Sequence, residues 1–371
     1  MALFTSWEYI IFLVVSVILF YLLNVSMRPV ILAVSGIIFY TYYAGLFVFL
    51  IIFEARAYFL AKYRKKYFFV LSIILSLSIL FYFKYKFLFF NIPKPDTWIL
   101  PLGISFFTFE FIHYLVDGYK NEIPNPNLKD HFAFIFFFPS MIAGPIKRYQ
   151  NFVPQIQASK FSMDNILNGT VRIILGFFKK IVIADTLAMF TDNLISKDFV
   201  LSADYWTILL LLIAFSFKIY MDFSAYSDIA LGSAALFGIY LPENFNWPYL
   251  SMNIADFWRR WHISLTSWFM DYVYKPLGGS RKGILFTLLN VIIVMFFSGL
   301  WHGAAWNFIA WGLYHGFFLA FYHLYKYHNL PKWPKFISIP ITFIVVTLGW
   351  IFFLAPLNLA FEIFKKLLLI S

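Results

Sequence analysis

Ser298-Gly299-Leu300-Trp301-His302-Gly303 lies between two apolar runs, one leading in from Ile284 and an aromatic one, Ala304 to Tyr325, leading out. Each run is long enough to cross a hydrocarbon core as a helix, which takes roughly 20 residues. An ionisable side chain in such a place is a functional-site hypothesis by default, because lipid solvates it poorly. The flanking glycines allow close backbone approach, and Gly303 can take dihedrals closed to other residues. Apolar surroundings favour the neutral imidazole that a general base requires. The competing reading is a buried histidine bonded to a carbonyl.

A second histidine lies upstream, in Phe257-Trp258-Arg259-Arg260-Trp261-His262-Ile263-Ser264-Leu265. At about 100° per residue the 254–272 segment puts Ile254, Phe257, Trp258, Trp261, Leu265, Trp268, Phe269 and Tyr272 on one stripe. Asp256, Arg260, Ser267 and Asp271 fall opposite, with Arg259 and His262 between. This pattern predicts one amphipathic helix at an interface or packed on protein. Asp256 and Arg260, four apart, can pair. The cationic cluster of Arg259, Arg260 and His262 suits a phosphate-bearing ligand or a developing oxyanion. It equally suits arginines snorkelling to lipid headgroups.

Composition sets the class. Apolar residues make up 62% of the 371 and charged residues 13%, which is a membrane balance. The net charge of +11 collects in short loops, Ala55 to Lys66, Gly278 to Gly283 and Lys326 to Lys335. That pattern fits cytoplasmic loops and anionic lipid rather than nucleic acid. The absence of cysteine excludes a cysteine nucleophile, a thiolate metal site and disulfides. No histidine–carboxylate spacing suggests a metal site.

The expected fold is an all-α polytopic membrane protein, because isolated strands leave backbone groups unsatisfied in lipid. Candidate spans are 8–26, 30–53, 67–90, 98–117, 131–144, 165–190, 205–221, 223–241, 284–301, 304–325 and 337–355, with a short last stretch at 357–370. The 131–144 run, ending in Pro139 and Gly144-Pro145, reads as re-entrant or partly buried. The first run reads as a retained span rather than a signal peptide. The chain is expected to form a single integral-membrane domain over 1–371. The basic loop at 55–66 predicts a cytoplasmic N-terminus if the first two spans form a hairpin.

Asp222 and Asp228 flank hydroxyls inside an apolar run. Pairing with Arg259, Arg260 or Lys218, or orienting a histidine, is the expected role. Pro139 to Arg148 reads as a broken helix ending in a basic turn. Lys275 to Lys282 is a basic, glycine-rich turn. Histidines 113, 131, 315, 323 and 328 carry no functional mark, although His315 could line the same cavity as His302.

Pro101 to Phe109, Ala143-Gly144-Pro145-Ile146, Asp222-Phe223-Ser224 through Asp228, Leu241 to Phe245, Phe257 to Leu265, Pro276 to Gly279 and Gly299 to Gly303 occur together in one order. In these segments, over about Pro101 to Gly316, the chain resembles the membrane-bound O-acyltransferases (MBOAT). The likeness is to the bacterial branch that acetylates alginate or peptidoglycan and includes the teichoic-acid D-alanyl transfer protein. The resemblance implies a ring of about ten to eleven transmembrane or re-entrant helices around a central cavity, in the bacterial cytoplasmic (inner) membrane. It implies an essential His302 assisted by His262, acetyl-CoA as cytoplasmic donor, and a polysaccharide acceptor on the other side. An extracytoplasmic partner of the SGNH, serine-hydrolase kind is also implied. Arg259, Arg260, Trp258 and Trp301 are the expected donor contacts.

In the reaction so expected, His302 takes the proton of an acceptor hydroxyl, which attacks the thioester. Two rivals stand beside it: a lipid or protein acyltransferase with a longer-chain donor, and a glycan transporter using the histidines as a proton relay. One geometric difficulty accompanies the scheme. A spanning 284–301 helix would put His302 at the membrane face opposite a cytoplasmic donor, unless the membrane is thinned there or the helix tilts.

Overall fold

The computed structural model describes residues 2–61, 66–123 and 126–369. Residues 62–65 of the basic loop, on which the expected orientation leans, lie outside them. So do residues 124–125 of the 120–130 connection and residues 370–371. The described residues are helical with no strand; Phe245 and Trp261 form an isolated antiparallel bridge. Among them, five helices are long and apolar enough to cross a membrane: Val25–Ala44, Lys66–Phe89, Tyr205–Leu236, Ile284–His302 and Lys335–Leu354. Trp7–Leu22 is a shorter apolar helix. The chain is a multi-pass membrane protein, and it divides into two compact units.

The first unit comprises Met1–Phe177 and Tyr226–Glu243. Its core is aromatic, with Phe134 through Phe138 fully buried. The expected 30–53 span is two helices, Arg28–Ala44 and Phe47–Ala61. Gly45, at φ 58° and ψ −134°, takes a positive-φ conformation that suits glycine and ends the first. The 131–144 run is helical only as part of Leu128–Ile135 and then continues as buried irregular chain to Arg148. Non-helical backbone at membrane depth survives only where protein covers it.

One expectation about charges changes here, the pairing of Asp228. Lys147, in the basic turn, is buried and paired with the equally buried Glu110. Asp228 pairs with Arg172 at 3.0 Å, and Arg172 also grips Glu243 at 2.6 Å. His113 and His131 are buried core histidines, each with a hydrogen-bond partner. His113 Nδ1 lies 3.0 Å from Asp117, and its Nε2 accepts the Tyr149 N–H. His131 Nε2 lies 3.0 Å from the Ala55 carbonyl oxygen.

The second unit comprises Phe178–Ala225 and Asn244–Ser371. The expected spans 205–221 and 223–241 are instead one 32-residue helix, Tyr205–Leu236. Nothing at Met221-Asp222 removes a backbone hydrogen bond. Asp222 is neutralised by Lys180 at 2.9 Å, so it need not mark a membrane edge. Lys218 pairs with Asp192 rather than with either expected carboxylate.

Ile284–His302 and Trp306–Tyr327 form a tight antiparallel hairpin. A Cβ on Gly299 would lie 2.2 Å from the Phe308 carbonyl oxygen, so only glycine admits this approach. Small residues are what bring membrane helices this close. Lys335–Leu354 lies against the hairpin, where Asn307 donates to the Phe352 carbonyl and Tyr314 to that of Val345.

Candidate active site

The 254–272 segment is not one helix. Ile254–Arg260 and Ile263–Phe269 are separate short helices, followed by a wide turn over Met270–Tyr274. The break falls at His262, whose φ of 45° and ψ of 53° are left-handed. That conformation is uncommon for a residue with a side chain and persists only where its surroundings over-determine it. Here the Asn244–Asn246 segment supplies the clamp. The Asn244 carbonyl accepts the Ile263 N–H at 2.9 Å, and its side chain accepts the Ser264 hydroxyl at 2.6 Å. On the other side of the break, the Asn246 N–H donates to the Arg260 carbonyl at 3.0 Å. His262 therefore does not sit on the edge of an amphipathic helix; the kink turns its ring inward.

That ring is buried, 1% exposed, edge-on to Phe223 at 4.6 Å and to Trp301 at 5.7 Å. Neither ring nitrogen has a hydrogen-bond partner among the described residues. Burial, and secondarily the neighbouring His302, hold its pKa well below the ordinary histidine value. His262 is therefore neutral near pH 7, with one nitrogen to donate and one to accept.

His302 closes the Ile284–His302 helix. Its ring packs edge-on against Trp301 at 4.8 Å, Trp311 at 4.9 Å and Phe353 at 5.1 Å. Gly303 does not use a special dihedral, since φ −164° is ordinary extended backbone. Its role is space: a Cβ there would lie 2.2 Å from the Phe308 ring. The glycines flanking Leu300-Trp301-His302 thus fix where the imidazole stands.

The structure brings together His262, Trp301 and His302. It adds a residue that the sequence left unmarked, the fully buried His315. His315 meets Trp258 at 5.1 Å and Trp311 at 5.0 Å, and Trp311 in turn meets His302. The signal was in the spacing within one helix: His315 lies four residues after Trp311, which also meets His302.

The arginines lie elsewhere. Arg260 pairs with Asp256 at 3.1 Å, as the four-residue spacing predicts. Burial raises the Asp256 pKa, but the Arg260 hydrogen bond and the Met252 N–H more than offset this and leave it lowered. Arg259 is largely exposed and lines a groove of about 890 Å³ whose lining includes neither histidine.

Comparison with known proteins gives the family. The model for "MBOAT, membrane-bound O-acyltransferase family" matches residues 110–359. A probable alginate O-acetylase of Azotobacter vinelandii is 40% identical over 271 residues, 72% of this chain and 54% of the relative. A peptidoglycan O-acetyltransferase of Helicobacter pylori is 37% identical over 342 residues, covering 81% and 64%. A teichoic acid D-alanyltransferase of Bacillus subtilis is 33% identical over 285 residues, 70% of each. The chain spans about half the length of the alginate relatives it matches. The family match takes in Asp222, the His262 break and the helix that ends at His302, and with the likeness to these relatives it establishes that the chain belongs to the membrane-bound O-acyltransferase family.

Proposed function

We propose that the chain transfers an acetyl group from cytoplasmic acetyl-CoA for O-acetylation of a cell-envelope polysaccharide, of the peptidoglycan or alginate-like kind. The observation that supports this reading is that His262 and His302 both pack against the Trp301 indole. His302 takes the proton of an acceptor hydroxyl as its oxygen attacks the thioester carbonyl carbon. The C–S bond then breaks, and the departing thiolate takes that proton from the imidazolium, leaving an O-acetyl ester and free thiol. His262, neutral and strained into place, donates its N–H to the oxyanion that forms in between. Trp258 and Trp301 wall the donor arm. No metal takes part in this scheme.

In this reading the protein works in the bacterial cytoplasmic membrane beside an extracytoplasmic transferase of the serine-hydrolase kind. The names of the relatives support a polysaccharide acceptor. The test is donor profiling on the purified full chain with CoA thioesters of increasing acyl length. Preference for acetyl over longer chains is expected. Preference for a long acyl chain would turn the reading toward a lipid or protein acyltransferase, and absence of any acyl transfer would turn it toward transport.

A further inference from the structure

Apart from the histidines, the second unit holds a further feature with the chemistry of a binding site, a groove of about 890 Å³ at the basic end of the hairpin. Its floor is apolar, with Phe318, Phe321, Ile341 and Val345. Its rim carries Arg259, Lys326 and Lys332, and no carboxylate is among the lining residues. The loop bearing Lys332 is tied back, because the Tyr325 hydroxyl donates to the Pro331 carbonyl. Trp333, half exposed, stands at the same rim. A tryptophan with neighbouring lysines at a helix end marks the headgroup level of a bilayer.

Charge and exposure together select the occupant. Three cations on one rim, of which only Arg259 has a carboxylate near it among the described residues, and that at 3.5 Å, call for an anion. Phe321, 59% exposed, and Ile341, 40% exposed, leave the apolar floor open to the surroundings of two hydrophobic helices. On a multi-pass chain those surroundings are acyl chains. A ligand with a phosphate at one end and hydrocarbon at the other satisfies both halves. A water-soluble polyanion satisfies only the rim.

We propose that this groove is a specific site for an anionic phospholipid, its phosphate held by Arg259, Lys326 and Lys332 and an acyl chain lying along Phe318, Phe321 and Ile341. Lipid-facing cations near a bilayer surface contribute measurably one by one. Arg259 has only a long contact to Asp256, at 3.5 Å, so it is available to a stronger anion. The helix that carries it runs directly to the His262 break, so a lipid seated here braces the segment that positions that histidine.

Native mass spectrometry of the full chain released from nanodiscs tests this, using phosphatidylglycerol and phosphatidylcholine as the two probes. One phosphatidylglycerol retained per chain in preference to phosphatidylcholine is expected. Lys326→Gln/Lys332→Gln should weaken its retention by about 10-fold or more. Lys94→Gln/Lys120→Gln, in the first unit, should leave it unchanged and controls for total charge. Ile341→Trp, which fills the floor without touching the cations, should also displace the lipid and covers the case in which the lysine variant misfolds. Equal retention of the two lipids, full retention in both groove variants, or displacement of the lipid by acetyl-CoA would overturn the assignment.

Discussion

His262 and His302 share one indole: the Trp301 ring lies 5.7 Å from the first imidazole and 4.8 Å from the second. They reach it from opposite kinds of structure. His302 ends a long membrane helix, and His262 occupies a strained break between two short ones.

The strain at His262 makes its backbone and its imidazole separable. A left-handed conformation disfavours a residue with a side chain by roughly 1–2 kcal/mol, and glycine does not suffer this. His262→Gly should keep or raise the thermal midpoint of the purified protein while lowering acyl transfer at least 10-fold. His262→Val, β-branched at the same dihedrals, should lower both. Activity and unfolding measured together on the two variants check this; full activity in the glycine variant would remove the imidazole from the chemistry.

Acid should weaken the fold through the same residue. The folded-state pKa of His262 lies well below the ordinary 6.5, because burial disfavours the cation. Below about pH 6.5 the unfolded chain takes up a proton that the folded chain refuses. The contribution of His262 to stability is therefore complete above that value and declines as pH falls toward the lowered folded value, by at most about 1.4 kcal/mol per pH unit. Thermal midpoints from pH 7 to pH 5 should fall more steeply for the wild-type protein than for His262→Gln. Parallel slopes would contradict a neutral buried imidazole.

The helix contact behind His302 has no spare room. Gly299→Ala puts a carbon where the Phe308 carbonyl oxygen stands, so the hairpin must part. Overpacking of this kind is destabilising by typically 1–3 kcal/mol. The expected result is a lower unfolding midpoint and a loss of activity larger than the loss of folded protein, since His302 moves with the helix. Ala substitution at Gly45, where nothing lies within 4 Å, serves as a comparison in which only backbone strain is added.

In the first unit the buried Lys147–Glu110 pair gives a separate test of stability. Removing one partner of such a pair is destabilising by about 3–5 kcal/mol, whereas removing both is much milder. Lys147→Met should therefore unfold early, and Lys147→Met/Glu110→Gln should recover much of the difference. Additive losses in the double variant would show that the two groups do not interact.

The membrane class was legible because it rests on composition, and the packing of His302 among aromatic rings was legible as an ionisable group between apolar runs. The break at His262 was not. A 3.6-residue stripe from Ile254 to Tyr272 is what one helix would show, and only the tertiary clamp from Asn244 and Asn246 reveals the kink. The 205–236 region failed for a related reason. Asp222 reads as a boundary in isolation, but Lys180, more than 40 residues upstream, neutralises it. His315 stayed unmarked because the residues that tie it to the site, Trp258 directly and His302 through Trp311, come from other helices.

The central claim is that His302 carries acyl transfer rather than the fold. The most direct measurement is acetyl transfer from acetyl-CoA by the purified full chain, wild type against His302→Ala, with membrane insertion and thermal midpoint followed in the same preparations. The account predicts that transfer is abolished in the variant while insertion and midpoint stay within the wild-type range. Wild-type transfer by His302→Ala would contradict it.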